Sequence, residues 1–77
     1  MNITYFKNGI TNFKIDADAK SYEYVNNSTD SKSIGLVVNE DAYNKLIESL
    51  TQPTWETSTE TEFNTAKQEV LSHLSSL

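Results

Sequence analysis

Few residues in this sequence could carry out a chemical reaction. Histidine occurs once among the 77 residues, at position 73, and cysteine does not occur. Nucleophilic catalysis usually pairs a serine or cysteine with a histidine base, often on a nucleophile turn or near a glycine-rich loop. The sequence has only two glycines and contains no such motif. We therefore predict no enzyme, no catalytic residue, and a partly exposed helical position for His73.

Two acidic segments could instead bind a cation or form an acid–base pair. Asp16-x-Asp18-x-Lys20 begins like a calcium-binding loop, but a lysine stands at the third ligand position. Glu60 and Glu62 are two residues apart and point to different sides of a helix, whereas the carboxylates of a glycosidase face one cleft. The sequence therefore predicts no metal site and no cofactor.

Trp55 is the residue best suited to recognition, since it follows Pro53 and precedes the acidic residues Glu56, Glu60 and Glu62. In one interpretation the tryptophan closes the core between two helices, because a small domain needs large apolar groups. In the other interpretation it anchors a protein interface, and the three glutamates form a rim that attracts a basic partner.

The charge distribution limits the class of partner. The net charge is −5, from 11 acidic residues and 6 lysines without any arginine. Direct nucleic-acid binding needs clustered cations, so we do not expect it. An alternative hypothesis is that the acids imitate a row of phosphates and block a nucleic-acid-binding protein.

Length and hydropathy indicate one small domain, residues 1–77. A chain of this size buries only about 60% of its unfolded surface, so its stability margin is thin. No segment is long and apolar enough to cross a membrane, and the first ten residues do not resemble a secretion signal. We expect a location in the cytoplasm of a host cell or in a virion, without secretion or membrane attachment.

The first half of the chain predicts four strands. Segments 3–7 and 10–15 form a hairpin signal around Asn8-Gly9, a pair typical of a type I′ turn, which places Phe6 opposite Thr11. Segment 21–25 predicts a third strand after a polar connection. A polar loop then leads to the apolar run 34–38, which is typical of a central strand covered on both faces.

The second half predicts two helices. Asn39 is a suitable N-cap for the first, and Thr59 with Glu62 forms a capping box for the second. Three-four spacing marks the apolar stripes, which comprise Ala42, Tyr43, Leu46, Ile47 and Leu50 in the first helix and Phe63, Ala66, Val70, Leu74 and Leu77 in the second. Strands followed by helices predict an α+β fold, with a small antiparallel four-stranded meander and then two helices (ββββαα).

Strand alternation predicts a surface for binding. Phe6, Phe13 and Ile15 share one sheet face, which we expect to pack against the helices. The opposite face is expected to stay open, and it carries Ile3, Tyr5 and Ile10 together with either the Tyr22/Tyr24 pair or Val25. The alternative is that one helix packs on each face and no apolar patch remains. An open face would favour binding to another protein or self-association, most simply as a dimer.

The segment Ile3-Thr4-Tyr5-Phe6-Lys7-Asn8-Gly9, with Pro53-Thr54-Trp55 ahead of Glu62-Phe63, resembles short accessory proteins of tailed bacteriophages in style and size. The resemblance implies a virion component, an assembly chaperone or an inhibitor of host machinery. We therefore predict a non-enzymatic protein-binding module, such as an inhibitor or modulator of a host protein. A structural or assembly component of a homo-oligomeric particle is the second interpretation.

Overall fold

A computed structural model describes residues 2–76, which form one antiparallel sheet and two helices. In chain order the elements are β1 (Ile3–Asn8), β2 (Thr11–Asp16), β3 (Ser21–Asn27), β4 (Lys32–Val37), α1 (Glu40–Ser49), β5 (Glu56–Thr57) and α2 (Glu60–Ser75). The strands lie in the order β4-β3-β2-β1-β5. The predicted α+β class and the meander of the first four strands are confirmed.

The short strand β5 is a correction to the predicted ββββαα order. Glu56 and Thr57 pair with Lys7 and Phe6, so the chain returns to the β1 edge between the two helices. A two-residue strand with exposed side chains has too few positions for an alternating pattern. The observed order is therefore ββββαβα.

The β1–β2 hairpin has a register two residues away from the predicted one. Phe6 lies opposite Phe13, and Asn8 pairs with Thr11, so Gly9 and Ile10 form the turn. Gly9 has a φ of 63°, whereas Asn8 is not left-handed. A type I′ turn at Asn8-Gly9 would require positive φ at both residues. Because the shift is an even number, each side chain keeps its predicted face.

Helix α2 covers one face of the sheet, called here the α2 face. The aromatic rings of Phe63 and Tyr5 are 5.8 Å apart at their centroids. Phe63 and Val70 belong to a buried cluster with Val25 of β3, against which Ile34 of β4 also packs. The helix therefore runs across the strands from β1 to β4. Tyr5 is packed beneath it, so the expectation that Tyr5 lies on an uncovered face is wrong.

The opposite face, called here the Phe13 face, is covered by the chain between β4 and α2. Trp55 packs on Phe13 with a centroid distance of 4.9 Å. Tyr43 of α1 is buried, and the Lys20 ammonium lies 5.8 Å from its ring centroid. Ile15 points to this face and is only 2% exposed. The two helical layers thus lie on opposite sides of the sheet, as in the alternative interpretation, but Leu36 on the α2 face stays exposed.

Strand β4 is an edge strand among the described residues, which corrects the prediction of a central one. Its neighbour is β3 alone, and the side chains of Leu36 and Val38 are exposed. Continuous apolar runs are typical of strands covered on both faces, but here the fourth strand of a meander ends the sheet.

The predicted helix starts are confirmed. The Ala42 N–H donates to the Asn39 Oδ1 at 3.0 Å, and the Glu62 N–H donates to the Thr59 Oγ1 at 3.1 Å. The stripe of α2 is buried at Phe63, and it continues through Ala66 and Val70, whereas Leu74 is exposed. Leu77, the last predicted member, lies outside the described residues.

Candidate functional site

An open groove lies on the part of the α2 face that the helix does not cover. Its volume is about 590 Å³, and it is lined by residues of the first four strands and by the first residue of α2: Ile3, Tyr5, Lys14, Asp16, Ser21, Tyr22, Glu23, Leu36 and Glu60. We refer to it as the open groove.

Strand register explains which side chains meet in the open groove. Tyr5 pairs with Lys14, Lys14 with Glu23, and Glu23 with Leu36, so these four residues form one row across the sheet. Paired residues in an antiparallel sheet point to the same face. Helix α2 lies over the neighbouring row that contains Val25 and Ile34, and the Tyr5 row is therefore left at its margin.

The remaining floor of the open groove comes from the adjacent row. Ile3 pairs with Asp16, and Asp16 pairs with Ser21 at the far end of the same strands. The Asp16 Oδ1 accepts hydrogen bonds from the N–H groups of Asp18 and Ala19 at 3.0 and 3.1 Å. This carboxylate therefore stabilises the β2–β3 turn, and the calcium-loop pattern in the sequence corresponds to a hydrogen-bonded turn.

The groove is acidic and contains a basic residue. Asp16, Glu23 and Glu60 line it together with Lys14. Glu23 forms an ion pair with Lys67 of α2 at 2.6 Å. Within the described chain the Glu60 side chain has no hydrogen bond or ion pair, so its carboxylate is available to a ligand.

The pKa of the Tyr5 hydroxyl is changed by its surroundings in the open groove. Burial raises the pKa of its hydroxyl, and the negative charges of Glu60 and Glu23 raise that pKa further. A neutral hydroxyl can donate a hydrogen bond, and nearby carboxylates favour that protonated form. The site can therefore offer an apolar floor, a hydroxyl donor and carboxylate acceptors to a bound segment.

A second acidic cluster lies on the other side of α2, around Lys7. Its ammonium is 3.4 Å from the Glu62 carboxylate and 4.0 Å from that of Glu56. The Ser58 hydroxyl donates to Glu62 at 2.8 Å. This hydrogen bond, followed by the Lys7 charge, lowers the pKa of Glu62. The cluster thus holds β5 and the start of α2 against β1.

The structure brings together only some of the residues predicted for an interface. Ile3, Tyr5 and Glu60 line the open groove, and Tyr22 borders it while its ring packs on Phe13 at 6.0 Å. The other predicted residues lie elsewhere. Ile10 is at the hairpin tip, Tyr24 and Trp55 are on the Phe13 face, and Glu56 and Glu62 surround Lys7.

Sequence reasoning missed Lys14, Asp16, Ser21, Glu23 and Leu36 as groove residues. The signal that could have found them is strand alternation combined with the meander. Lys14 lies on the predicted face of Tyr5, whereas the face of Glu23 was left open and Leu36 was assigned to none. Aligning the four adjacent strands would have placed all five residues in two rows. The position of α2 over a third row could not be read from that alignment.

Other sites considered from sequence have simple structural surroundings. His73 is exposed on α2, where its backbone carbonyl accepts a hydrogen bond from the Ser76 hydroxyl at 2.7 Å. Within residues 2–76 no group of three or more histidine, aspartate or glutamate side chains is arranged to hold a metal ion. Neither described helix combines the length and apolar character needed to span a membrane.

Comparisons of the chain with protein-family models, with curated proteins and with solved structures found no match.

Proposed function

We propose that this chain is a small acidic protein-binding module, without catalytic activity, that receives a basic and apolar segment of another protein in the open groove. The observation that carries the proposal is a sheet row that α2 covers only in part, beside the unpaired carboxylate of Glu60. Leu36 is 68% exposed, and it lies in the same row as Glu23 and Tyr5. A groove that combines apolar lining with a few convergent polar groups is a usual place for a ligand to bind.

Charge favours a basic segment over an acidic one. Three carboxylates and one ammonium group line the open groove, and the whole chain has a net charge of −5. Lysine or arginine side chains of a partner would reach Glu60, while adjacent apolar side chains would cover Ile3 and Leu36. Complementary charge raises the association rate and selects among partners. An inhibitor or modulator of a host protein would act by occupying such a segment.

The acidic-mimic hypothesis has weaker support. Glu62 and Glu56 face Lys7, and Glu23 is paired with Lys67, so several acids are partly neutralised within the fold. A surface that imitates phosphates needs regularly spaced, uncompensated charges.

The proposal is tested by selecting binders from a random peptide library displayed against the immobilised wild-type chain. We expect enrichment of peptides that combine lysine or arginine with leucine, isoleucine or phenylalanine. Glu60→Lys should lower the affinity for the selected peptides by about tenfold or more, because a charge like that of the peptide would replace a carboxylate acceptor. Raising the salt concentration should also weaken binding.

Glu40→Lys is the matched control. Glu40 and Glu60 are each the first residue of a helix, each follows an N-cap side chain, and both are exposed. The two substitutions therefore change net charge and helix-dipole energy alike, but Glu40 is not in the groove. Failure to enrich basic peptides, or equal weakening by both variants, would refute the proposal.

A further inference from the structure

We infer that two copies of this chain associate through their β4 edges, forming one continuous ten-stranded sheet. This interface includes Leu36, which also lines the open groove, so association of two copies and peptide binding compete for that residue. The starting observation is that the outer edge of β4 has no neighbouring strand among the described residues, although β4 is six residues long. Unpaired N–H and C=O groups along such an edge are a template for another strand.

The exposure of Leu74 bears on what could pack beyond the outer edge of β4. Leu74 is one helical turn after Val70 and therefore belongs to the stripe of α2 that faces the sheet. Val70 is fully buried, yet Leu74 is 41% exposed. Five residues from Val70 to the end of α2 extend about 7.5 Å, whereas adjacent strands are about 4.8 Å apart. The last turn of α2 is therefore long enough to reach past β4, the last strand of the described sheet on this side.

A second copy supplies the missing strand in a self-complementary way. Full antiparallel overlap of residues 32–38 with themselves places Gly35 opposite Gly35 of the second copy. In that register Ile34 lies opposite Leu36 of the second copy. The row under α2 then continues onto this leucine, beneath Leu74. The two-fold axis buries the other Leu36 under the other Leu74 in the same way.

Two further features suit this arrangement. Leu71 is exposed on the side of α2 that also carries Lys67, the side that faces Glu23 and the open groove. In the proposed dimer the second α2 lies on that side, so the two Leu71 side chains face each other. Strand β4 contains no acidic residue, unlike the chain as a whole. The paired β4 strands therefore bring no acidic side chains of their own together.

The association is tested by sedimentation velocity on the complete chain from about 1 µM to about 1 mM, a range that covers moderate to weak dimers. We expect a dimer fraction that rises with concentration. Leu36→Asp and Leu74→Asp should each weaken association by at least about tenfold, because each places a charge in an apolar contact. Ile10→Asp is the matched control, since this exposed residue lies at the hairpin tip, and it should leave association unchanged.

Cysteine cross-linking tests the register and does not depend on the charged variants folding. The natural chain has no cysteine, so Leu36→Cys can be mixed with Leu74→Cys under mild oxidation. We expect a disulfide-linked heterodimer, and no such product when Ile10→Cys replaces Leu36→Cys. A monomer at every concentration, or association that both aspartate variants leave intact, would overturn the inference.

The dependence of binding on salt concentration distinguishes the proposed dimer from the proposed peptide site. Association of two copies with net charge −5 should strengthen as salt screens their repulsion, whereas binding of basic peptides should weaken. Glu60→Lys should weaken peptide binding by about tenfold or more and leave the dimer in place. Loss of one property without the other therefore identifies which of the two proposals is wrong.

Discussion

Val70→Ala tests whether α2 is the element that covers the Tyr5 side of the sheet. Val70 has no exposed surface and lies in a cluster with Phe63, Ala66 and Val25. The substitution removes two methyl groups without adding a polar atom. Alanine is also a strong helix former, so the local helix propensity does not fall. Any loss of stability therefore reports the packing of α2 on the sheet.

The expected magnitude follows from the buried groups. Each buried methylene-sized group is worth about 0.8 kcal/mol, and the cavity left behind adds to this, so Val70→Ala should cost about 2 to 3 kcal/mol. A chain of this length has a total stability of about 4 to 12 kcal/mol. Each kcal/mol of lost stability lowers the Tm of a domain of this size by about 4 to 8 °C, so the thermal midpoint should fall by about 10 to 20 °C.

The assay is thermal and urea unfolding followed by circular dichroism at low protein concentration. Val38→Ala is the control, because it makes the same chemical change at a position that is 74% exposed. Its cost should stay below about 1 kcal/mol. If Val70→Ala cost no more than Val38→Ala, the assignment of α2 to this face would be wrong.

Two other substitutions test the sheet and the open groove. At Gly35, a Cβ atom would overlap the Tyr24 ring, which lies across β4, so Gly35→Ala should cost about 1 to 2 kcal/mol. In a Tyr24→Leu background the same change should be close to neutral, and an equal cost in both backgrounds, measured by urea unfolding, would contradict the overlap. Burial and then the Glu60 and Glu23 charges raise the pKa of Tyr5 above its ordinary value of 10.0. Because the folded state favours the neutral hydroxyl, this stability is complete below about pH 10 and is lost as the pH rises through the folded-state pKa. The Tyr5→Phe protein should therefore lose less stability than the wild type between about pH 8 and about pH 11. If the urea midpoints of the two proteins changed with pH in parallel, Tyr5 would not be the group responsible for the loss.

Local sequence patterns determined the identity of nearly every element. Alternating side chains marked β1 to β3, and three-four spacing marked both helices. The capping residues Asn39 and Thr59 start the helices as their side-chain chemistry predicts, since each satisfies a backbone N–H that the helix itself leaves unpaired. The sharing of a sheet face by Phe13 and Ile15 was also determined locally, because side-chain direction has a period of two.

Tertiary structure alone decided which helix covers which face and where the sheet ends. Both sheet faces carry apolar residues, so the sequence does not distinguish an α2 that packs on Tyr5 from one that packs on Phe13. The two-residue strand β5 exists because the chain returns along β1 between the helices. The open groove and the exposed Leu74 depend on where α2 crosses the strands. That crossing is set by long-range packing of Phe63 and Val70, which no local period encodes.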